Sequence, residues 1–424
     1  MKILYHHRTA SRDGQAVHIE EMINGLRSLG HEVHVVAPAV SRQGVMGAKV
    51  GWVHRLKGSF PPPLYEVMEL AYSVVEYRRL ARAVREFQPQ VIYERYNLFL
   101  MAGLMAKRRF RLPLLLEVNS PLAHERDRFG GLSMKRLARW AEGAVWRGAD
   151  QVLPVTRVLA GYVTAYGVPK DRVTVVSNGV NEAHFIGAAS VQAAKAALQL
   201  SDKLVLGFTG FLRDWHGVDQ VIQWMAQPSV PAAVHLLIVG DGPARPRLER
   251  LAAEHGLGDR VTFTGVVSRE QIPDHVAAFD VALQPAVVPY ASPLKLFEYL
   301  ALGKAIVAPR QANLEEVLTD GRNALFFDPA DPNGFSNALT RIVADRRLRD
   351  ALAAGAAASI HEQRLTWLDQ AKRVSALCAR FARGHGAGRD EETAGEAVAR
   401  GGCVMQAAKR DVPRTKDIPS ERVR

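Results

Sequence analysis

With 424 residues, 48% of them hydrophobic and 23% charged, the chain has the composition of a soluble globular protein long enough for two domains with full cores. Only Cys378 and Cys403 occur, which excludes a disulfide framework or a cysteine metal site and fits a reducing compartment. The start, MKILYHH, runs straight into charged residues, and the apolar run Leu98 to Ala106 is too short to span a bilayer, so a cytoplasmic protein without a signal peptide is expected.

The net charge of +12 is unevenly placed: residues 1–189 hold 26 Lys+Arg against 16 Asp+Glu, residues 190–424 hold 29 against 27. A basic first half points to an anionic partner, such as a membrane surface, a lipid phosphate or nucleic acid, although general solubility accounts for it equally well.

In chain order, short apolar runs alternate with amphipathic stretches. Strands are predicted at Ile3–Tyr5, Val33–Ala37, Val91–Tyr93, Leu114–Val118, Val152–Val155 and Val173–Val176. Helices fit between them at Val17–Leu29, Leu64–Phe87, Leu98–Arg109 and Met134–Arg147. This is the βαβ rhythm of a doubly wound parallel sheet. The loop His6 to Gln15 follows the first strand, where such folds bind ligands, and Arg8 and Arg12 there can meet an anion. It holds only Gly14 and no G-x-G-x-x-G, so a nicotinamide or flavin fingerprint is absent. The Met134–Arg147 stretch mixes Trp, Leu and Val with basic residues, which suits either a helix lying on an anionic membrane or the core stripe of a βα unit. No nucleic-acid recognition module is visible.

After Asn178-Gly179-Val180 a second series begins: strands at Leu204–Thr209, Val234–Val239, Val261–Phe263, Val281–Leu283, Ala305–Ala308 and Ala324–Phe327, with helices at Val218–Ala226, Arg245–His255, Arg269–Phe279, Pro293–Leu302 and Pro332–Ala344. Two Rossmann-like α/β domains facing a cleft follow from this count: residues 1–185, then 186–365, a closing helix over 366–381, and a Gly/Ala/charge-rich tail over 382–424 expected to be disordered.

Four loops of the second domain carry candidate chemistry. In Gly210–Gly217 (GFLRDWHG), Gly217 permits close backbone approach while Arg213 and His216 suit a diphosphate; the plain alternative is an ordinary βα loop. Gly240-Asp241-Gly242-Pro243 reads as a turn and helix start. The backbone of Gly265-Val266-Val267-Ser268, Val267 above all, can read the edge of a base. The fourth is VVPYASPLKLFEYLALGKAIVAP, with Ser292 as N-cap and Pro293 at the first helical position. Leu294, Phe297 and Ala301 fall on a packing face, and Lys295 and Glu298 share another. Amides and dipole at that helix start favour phosphate, Lys295 adds charge, and Glu298 can accept sugar hydroxyls; a solvated ion pair is the plain alternative.

The ordered set Gly210…Gly217-Val218-Asp219, Val239-Gly240-Asp241-Gly242-Pro243, Val261-Thr262-Phe263-Thr264-Gly265, Glu298-Tyr299-Leu300-Ala301-Leu302-Gly303 and Glu316-Val317-Leu318 with Asp320-Gly321 resembles the donor-binding half of the family 4 glycosyltransferases, retaining enzymes of the GT-B fold. The likeness reaches into the first half through DGQAVHIEEMINGLRSLGHEVHVVAP, Val155-Thr156 and Asn178-Gly179-Val180, covering residues 1–381. Departures are clear. Tyr290 stands where the family's Glu-x7-Glu has its first Glu, and Phe211 and His216 stand where it has the phosphate-loop Arg and Lys. The acceptor-side His falls near Asn119, with His124 five residues on as its stand-in. A Trp-His-Gly loop with a Ser-Pro-Leu-Lys helix start resembles a subgroup of bacterial polysaccharide assembly.

The resemblance implies a UDP- or GDP-sugar donor and a saccharide or polyprenyl-linked acceptor, with no bound metal and no nucleic acid. Glu298 would hold donor hydroxyls; Lys295, Arg213 and His216, with the backbone amides of the Ser292–Lys295 helix start (Ser292, Pro293 and Leu294 lining it), would meet the diphosphate. Gly14 would let the first-domain loop approach the phosphates, Tyr290 and Gly217 would border the donor, and His124 or Asn119 would serve the acceptor. A nucleotide-sugar epimerase and a non-catalytic GT-B scaffold are the alternatives.

Overall fold

The computed structural model describes residues 1–9, 14–38 and 61–383; Arg12, Cys403 and the tail from 384 lie outside them. Each half of the chain builds one parallel sheet. The first contains β1 (Lys2–His6), β2 (Glu32–Val36), β3 (Val91–Arg95), β4 (Leu114–Val118) and β5 (Gln151–Pro154), in the order β2-β1-β3-β4-β5. The second contains β6 (Leu204–Thr209), β7 (Val234–Val239), β8 (Val261–Phe263), β9 (Val281–Leu283), β10 (Ala305–Pro309) and β11 (Ala324–Phe327), in the order β11-β10-β9-β6-β7-β8. Every residue of β4 and of β7 is buried, because helices cover both faces of a parallel sheet, and this is why these strands read as unbroken apolar runs.

Alternate residues of β1 and β3 enter opposite cores. Leu4 and Ile92 pack with Leu80, Leu116 and Trp146, while Ile3, Tyr5, Val91 and Tyr93 pack with Ile19, Met22 and Leu26 of the Gly14–Ser28 helix. The second core also takes Trp367, Ala371, Val374 and Cys378 from a helix over 367–383, which returns to the first sheet after the second is complete. The chain thus crosses between the halves twice, and the crossings touch: Val180 bridges Thr366, and a Cβ on Gly179 would lie 2.7 Å from the Trp367 nitrogen.

Several elements differ from the sequence expectation. Val173–Val176 forms no strand; Val173 makes one bridge to Val152, and the Thr174 and Val176 amides donate to the carbonyls of Val152 and Pro154. The predicted Leu64–Phe87 helix divides at Tyr72 into Pro62–Ala71 and Ser73–Phe87. Leu98 to Leu100 are buried ahead of a helix starting at Ala102, since Phe99 adopts a φ of 64° that no helix allows. The helix expected over Met134–Arg147 forms as Lys135–Gly148 and buries Ala138, Ala141, Val145 and Trp146, so its apolar stripe faces the core rather than a membrane. No helix among the described residues is long and apolar enough to cross a membrane.

Candidate functional site

In both sheets the strand order reverses beside the first strand, between β1 and β3 and between β6 and β9. Open α/β sheets form ligand crevices at such points. In the second half the crevice is flanked by the loop after β6 and by residues 284–293 after β9, which lead into the Leu294–Ala301 helix.

That helix starts one residue later than expected. Pro293 occupies the cap position with φ −68° and ψ 121°, its carbonyl accepts the Leu296 amide at 3.2 Å, and no side chain caps the helix, so the Leu294 and Lys295 amides are the uncapped donors of its N-terminus. Leu296, Phe297, Tyr299 and Leu300 are its buried face, where a fully buried side chain stabilises by roughly 1.5–3 kcal/mol. Leu294 turns the other way, onto the first domain: a Cβ on Gly14 would sit 3.3 Å from its Cδ1.

Lys295 is the unusual group. Its Nζ is shut off from solvent, has no hydrogen-bond partner, and lies 3.7 Å from the centre of the Phe208 ring. Burial lowers its pKa to about 7, against the raising influence of Glu298. A side chain at position 210 would crowd it, since a Cβ on Gly210 would come within 3.3 Å of Nζ. Burial raises the pKa of Glu298, opposed by Lys295 and Arg269. The two side chains influence each other's charge without a direct bond, and Glu298 lines a cavity with Leu294, Asn181, His184 and Arg269.

The His216 ring is tilted against both Trp215, at 4.0 Å between centres, and Phe208, at 5.3 Å. Its Nδ1 accepts the Arg213 amide at 3.2 Å, which leaves Nε2 as the donor of a neutral ring. Burial first, then Lys295 and Arg213, lower its pKa to about 3, so the ring is neutral where the sequence had suggested a cation. Arg213 is exposed, its guanidinium 5.0 Å from the Phe211 ring, and Gly217 takes a left-handed φ of 71° to end the loop. The structure therefore brings together Lys295, Glu298, Phe208, His216 and the Arg213 loop.

Other predicted residues lie elsewhere. Tyr290 is 3% exposed and inserted into the first domain, edge-on to Tyr162 and His124, while its carbonyl accepts the Thr156 hydroxyl at 3.0 Å. Ser292 accepts from the first domain through its carbonyl, and its side chain does not cap. Val267 is half-buried in the loop after β8, followed by Arg269, whose guanidinium bonds Glu20 at 3.3 Å and also Glu21. His124 is exposed on the Leu122–Phe129 helix, apart from the hydrogen-bonded group containing Asn119.

That group was not foreseen as a unit. Glu117, at the end of β4, accepts Asn119 at 2.6 Å and Tyr93 at 2.9 Å, pairs with Arg95, and meets His18 Nε2 at 3.0 Å. The charges of His18 and Arg95 outweigh burial and hold its carboxyl far below the usual range. His18 Nδ1 contacts Asn178 Oδ1 at 2.8 Å, and Asn178 Nδ2 donates to the Ser292 carbonyl at 2.6 Å. A continuous line thus runs from the end of β4 to the start of the Lys295 helix. The sequence singles out two members separately, Asn119 near Glu117 and Asn178 within its Asn-Gly-Val turn, but nothing that joins them. Among the described residues, no cluster of three or more His, Cys, Asp or Glu side chains could hold a metal ion.

Comparison with known proteins gives the family of both halves. Residues 13–179 match the Glycosyl transferase 4-like domain family and residues 203–345 the Glycosyl transferases group 1 family. A D-inositol 3-phosphate glycosyltransferase of Thermomonospora curvata is 27% identical over 393 residues, covering 85% of this chain and 88% of that protein. The alpha-D-kanosaminyltransferase of Streptomyces kanamyceticus is 27% identical over 52% of this chain and 58% of its own. Among solved structures, Anabaena HepE in complex with UDP-glucose superposes with a TM-score of 0.69 at 19% identity, covering 90% of this chain and all of that one. Sucrose-phosphate synthase of Thermosynechococcus elongatus gives a TM-score of 0.72 at 19% identity over 91% of this chain and 100% of its own.

Proposed function

Because the chain belongs to the family 4 glycosyltransferases and has their GT-B fold, it is a glycosyltransferase, and we propose that it moves a sugar with retention from a nucleoside-diphosphate sugar to a saccharide or polyprenyl-linked saccharide. The observation that carries this reading is the buried, unpartnered Lys295 ammonium beside uncapped helix amides, with Glu298 one turn further in. A diphosphate supplies the missing partner for the first, and sugar hydroxyls supply it for the second.

In this reading the leaving diphosphate sits against Lys295 Nζ, the Leu294 and Lys295 amides and the His216 Nε2–H, with Arg213 closing over it. Preorganised donors in a water-poor crevice stabilise charge where it develops, and a neutral His216 serves as a hydrogen-bond donor without adding repulsion beside Lys295. The reaction runs on one face of the sugar, with the departing phosphate taking the acceptor proton, so no protein nucleophile is required. Asn119, held by Glu117, is the acceptor-side group nearest in design; Tyr290 serves to dock the loop rather than to grip sugar.

Uridine is the first base to test, since HepE is seen with UDP and UDP-glucose. The cellular role in this proposal is cell-surface or exported polysaccharide assembly at the inner face of the membrane. The test is thermal shift with UDP, GDP and their sugars, followed by transfer to soluble and lipid-linked saccharides. A bound donor raises stability by mass action. Absence of any stabilisation by nucleotides and of any transfer overturns the reading.

A further inference from the structure

The Pro62–Ala71 and Ser73–Phe87 helices carry an outer face that the rest of the described protein leaves bare. Leu64, Val67, Met68, Val74 and Val75 are each between 37% and 47% exposed. At 100° per residue they fall on one stripe, and Tyr72 between the helices keeps helical dihedrals of −59° and −21°. The same stripe continues as Arg78 and Arg82, both exposed and without a carboxylate partner among the described residues.

Every acidic side chain of residues 61–85 is turned away from this face. Glu66 is buried and accepts the amides of Ser133 and Met134 at 2.5 and 2.7 Å. Glu69 takes Arg126 at 3.0 Å, and Glu76 is buried beside His6 and bonded by Arg79 at 3.0 Å. The outer face is therefore apolar along one half and mainly cationic along the other, where Glu86, exposed one turn after Arg82, is its one acidic side chain among residues 61–87. An aqueous protein surface gains nothing from such an arrangement, and an anionic bilayer satisfies both halves: apolar side chains enter the acyl boundary while arginines meet lipid phosphates.

The inner side of the same helices reaches the first-domain crevice. Tyr72 lies under the Arg8 guanidinium at 4.9 Å, at the C-terminal end of β1. We propose that residues 64–82 are a docking face for an anionic lipid surface, which sets the acceptor mouth at the membrane. This rests on the reading of a lipid-linked acceptor only for its purpose; the docking itself is independent of transfer.

The test is flotation of the full chain, without donor or acceptor, on vesicles of phosphatidylglycerol and phosphatidylcholine and on phosphatidylcholine alone. Wild type is expected to float with the anionic vesicles, less so at high salt. Val67→Ser with Met68→Ser, and separately Arg78→Glu with Arg82→Glu, should each lower vesicle binding at least tenfold. Melting temperature and transfer to a soluble acceptor should stay within twofold or a few degrees of wild type. Failure to float on anionic vesicles, or equal binding by the variants, overturns the proposal. A wild-type dimer split by the apolar double variant also overturns it, as the face would then join two copies. Vesicle binding without any sugar transfer instead defeats the proposed function and leaves this inference standing.

Discussion

Asn178 Nδ2 donates to the Ser292 carbonyl at 2.6 Å, so a residue at the first crossing between the two sheets holds the backbone two positions before the helix bearing Lys295. Through its Oδ1 the same amide meets His18, and His18 meets Glu117. Replacing Asn178 by Ala should remove this positioning while leaving the nucleotide pocket built. We expect kcat to fall about tenfold, equivalent to ~1.4 kcal/mol of transition-state stabilisation, with UDP affinity nearly unchanged. Steady-state kinetics beside calorimetry reads both; equal kcat in the variant would refute the positioning role.

Lys295→Ala and Glu298→Ala should each reduce turnover by at least ~10-fold, as expected for a lost contact worth ~1.4 kcal/mol or more. Unaltered kcat/KM in both variants would remove these residues from the site.

Donor binding should take up a proton at alkaline pH. The free Lys295 has a pKa of about 7, lowered chiefly by burial, so at pH 8 most of it is neutral, whereas an arriving diphosphate favours the ammonium. Nucleotide affinity is therefore expected to weaken as pH rises above about 7. Calorimetry of UDP binding in buffers of different ionisation enthalpy counts the proton directly, and zero uptake at pH 8 contradicts the assignment.

His6 provides a separate pH dependence, of stability. Burial would lower its pKa, but its bonds to Glu76 and Glu94 prevail and raise it from 6.5 to about 9. The folded state then holds a proton that the unfolded state releases, so the contribution is complete below pH 6.5 and disappears as pH rises through about 9. The melting-temperature difference between wild type and His6→Gln should shrink over that interval. A constant difference would show that His6 stabilises by packing alone.

Glu316 caps a helix of the other domain, accepting the Arg157 amide at 2.7 and 2.9 Å and the Val158 amide at 3.4 Å. Glu316→Ala leaves those amides orphaned and should weaken the contact between the two halves by about 1–2 kcal/mol. Hydrogen exchange at Arg157 and Val158 is expected to quicken about tenfold, and unchanged exchange would mean the cap is not held in solution.

How much of this was readable from the chain depends on whether the signal is local. Strands such as Leu114–Val118 and Val234–Val239 are buried on both faces and announce themselves as apolar runs. Val173–Val176 has the same composition but bonds only to β5, and composition does not report a missing partner. The Arg346–Glu362 helix escaped notice because its alanine-rich sequence has no clear stripe. Lys295 and Glu298 were legible because one short helix contains both. His18, Asn178 and Ser292 were not legible as a unit, since their contacts span 160 and 114 positions. Tyr290 could be seen as a departure from the family pattern, but only the fold shows that its ring leaves its own domain.

The paired crossing at Val180 and Thr366 limits how the two halves can move. Two strands of chain pinned side by side permit rotation about the line through them and resist sliding along it, much as a door with two adjacent hinge leaves swings without shifting. Gly179 is what brings the leaves together, because a side chain there would meet the Thr366 and Trp367 backbone at 2.7 Å. Gly179 also lines one cavity with Leu294 and Glu298, so a bulkier group there would shift the crossing and that cavity together.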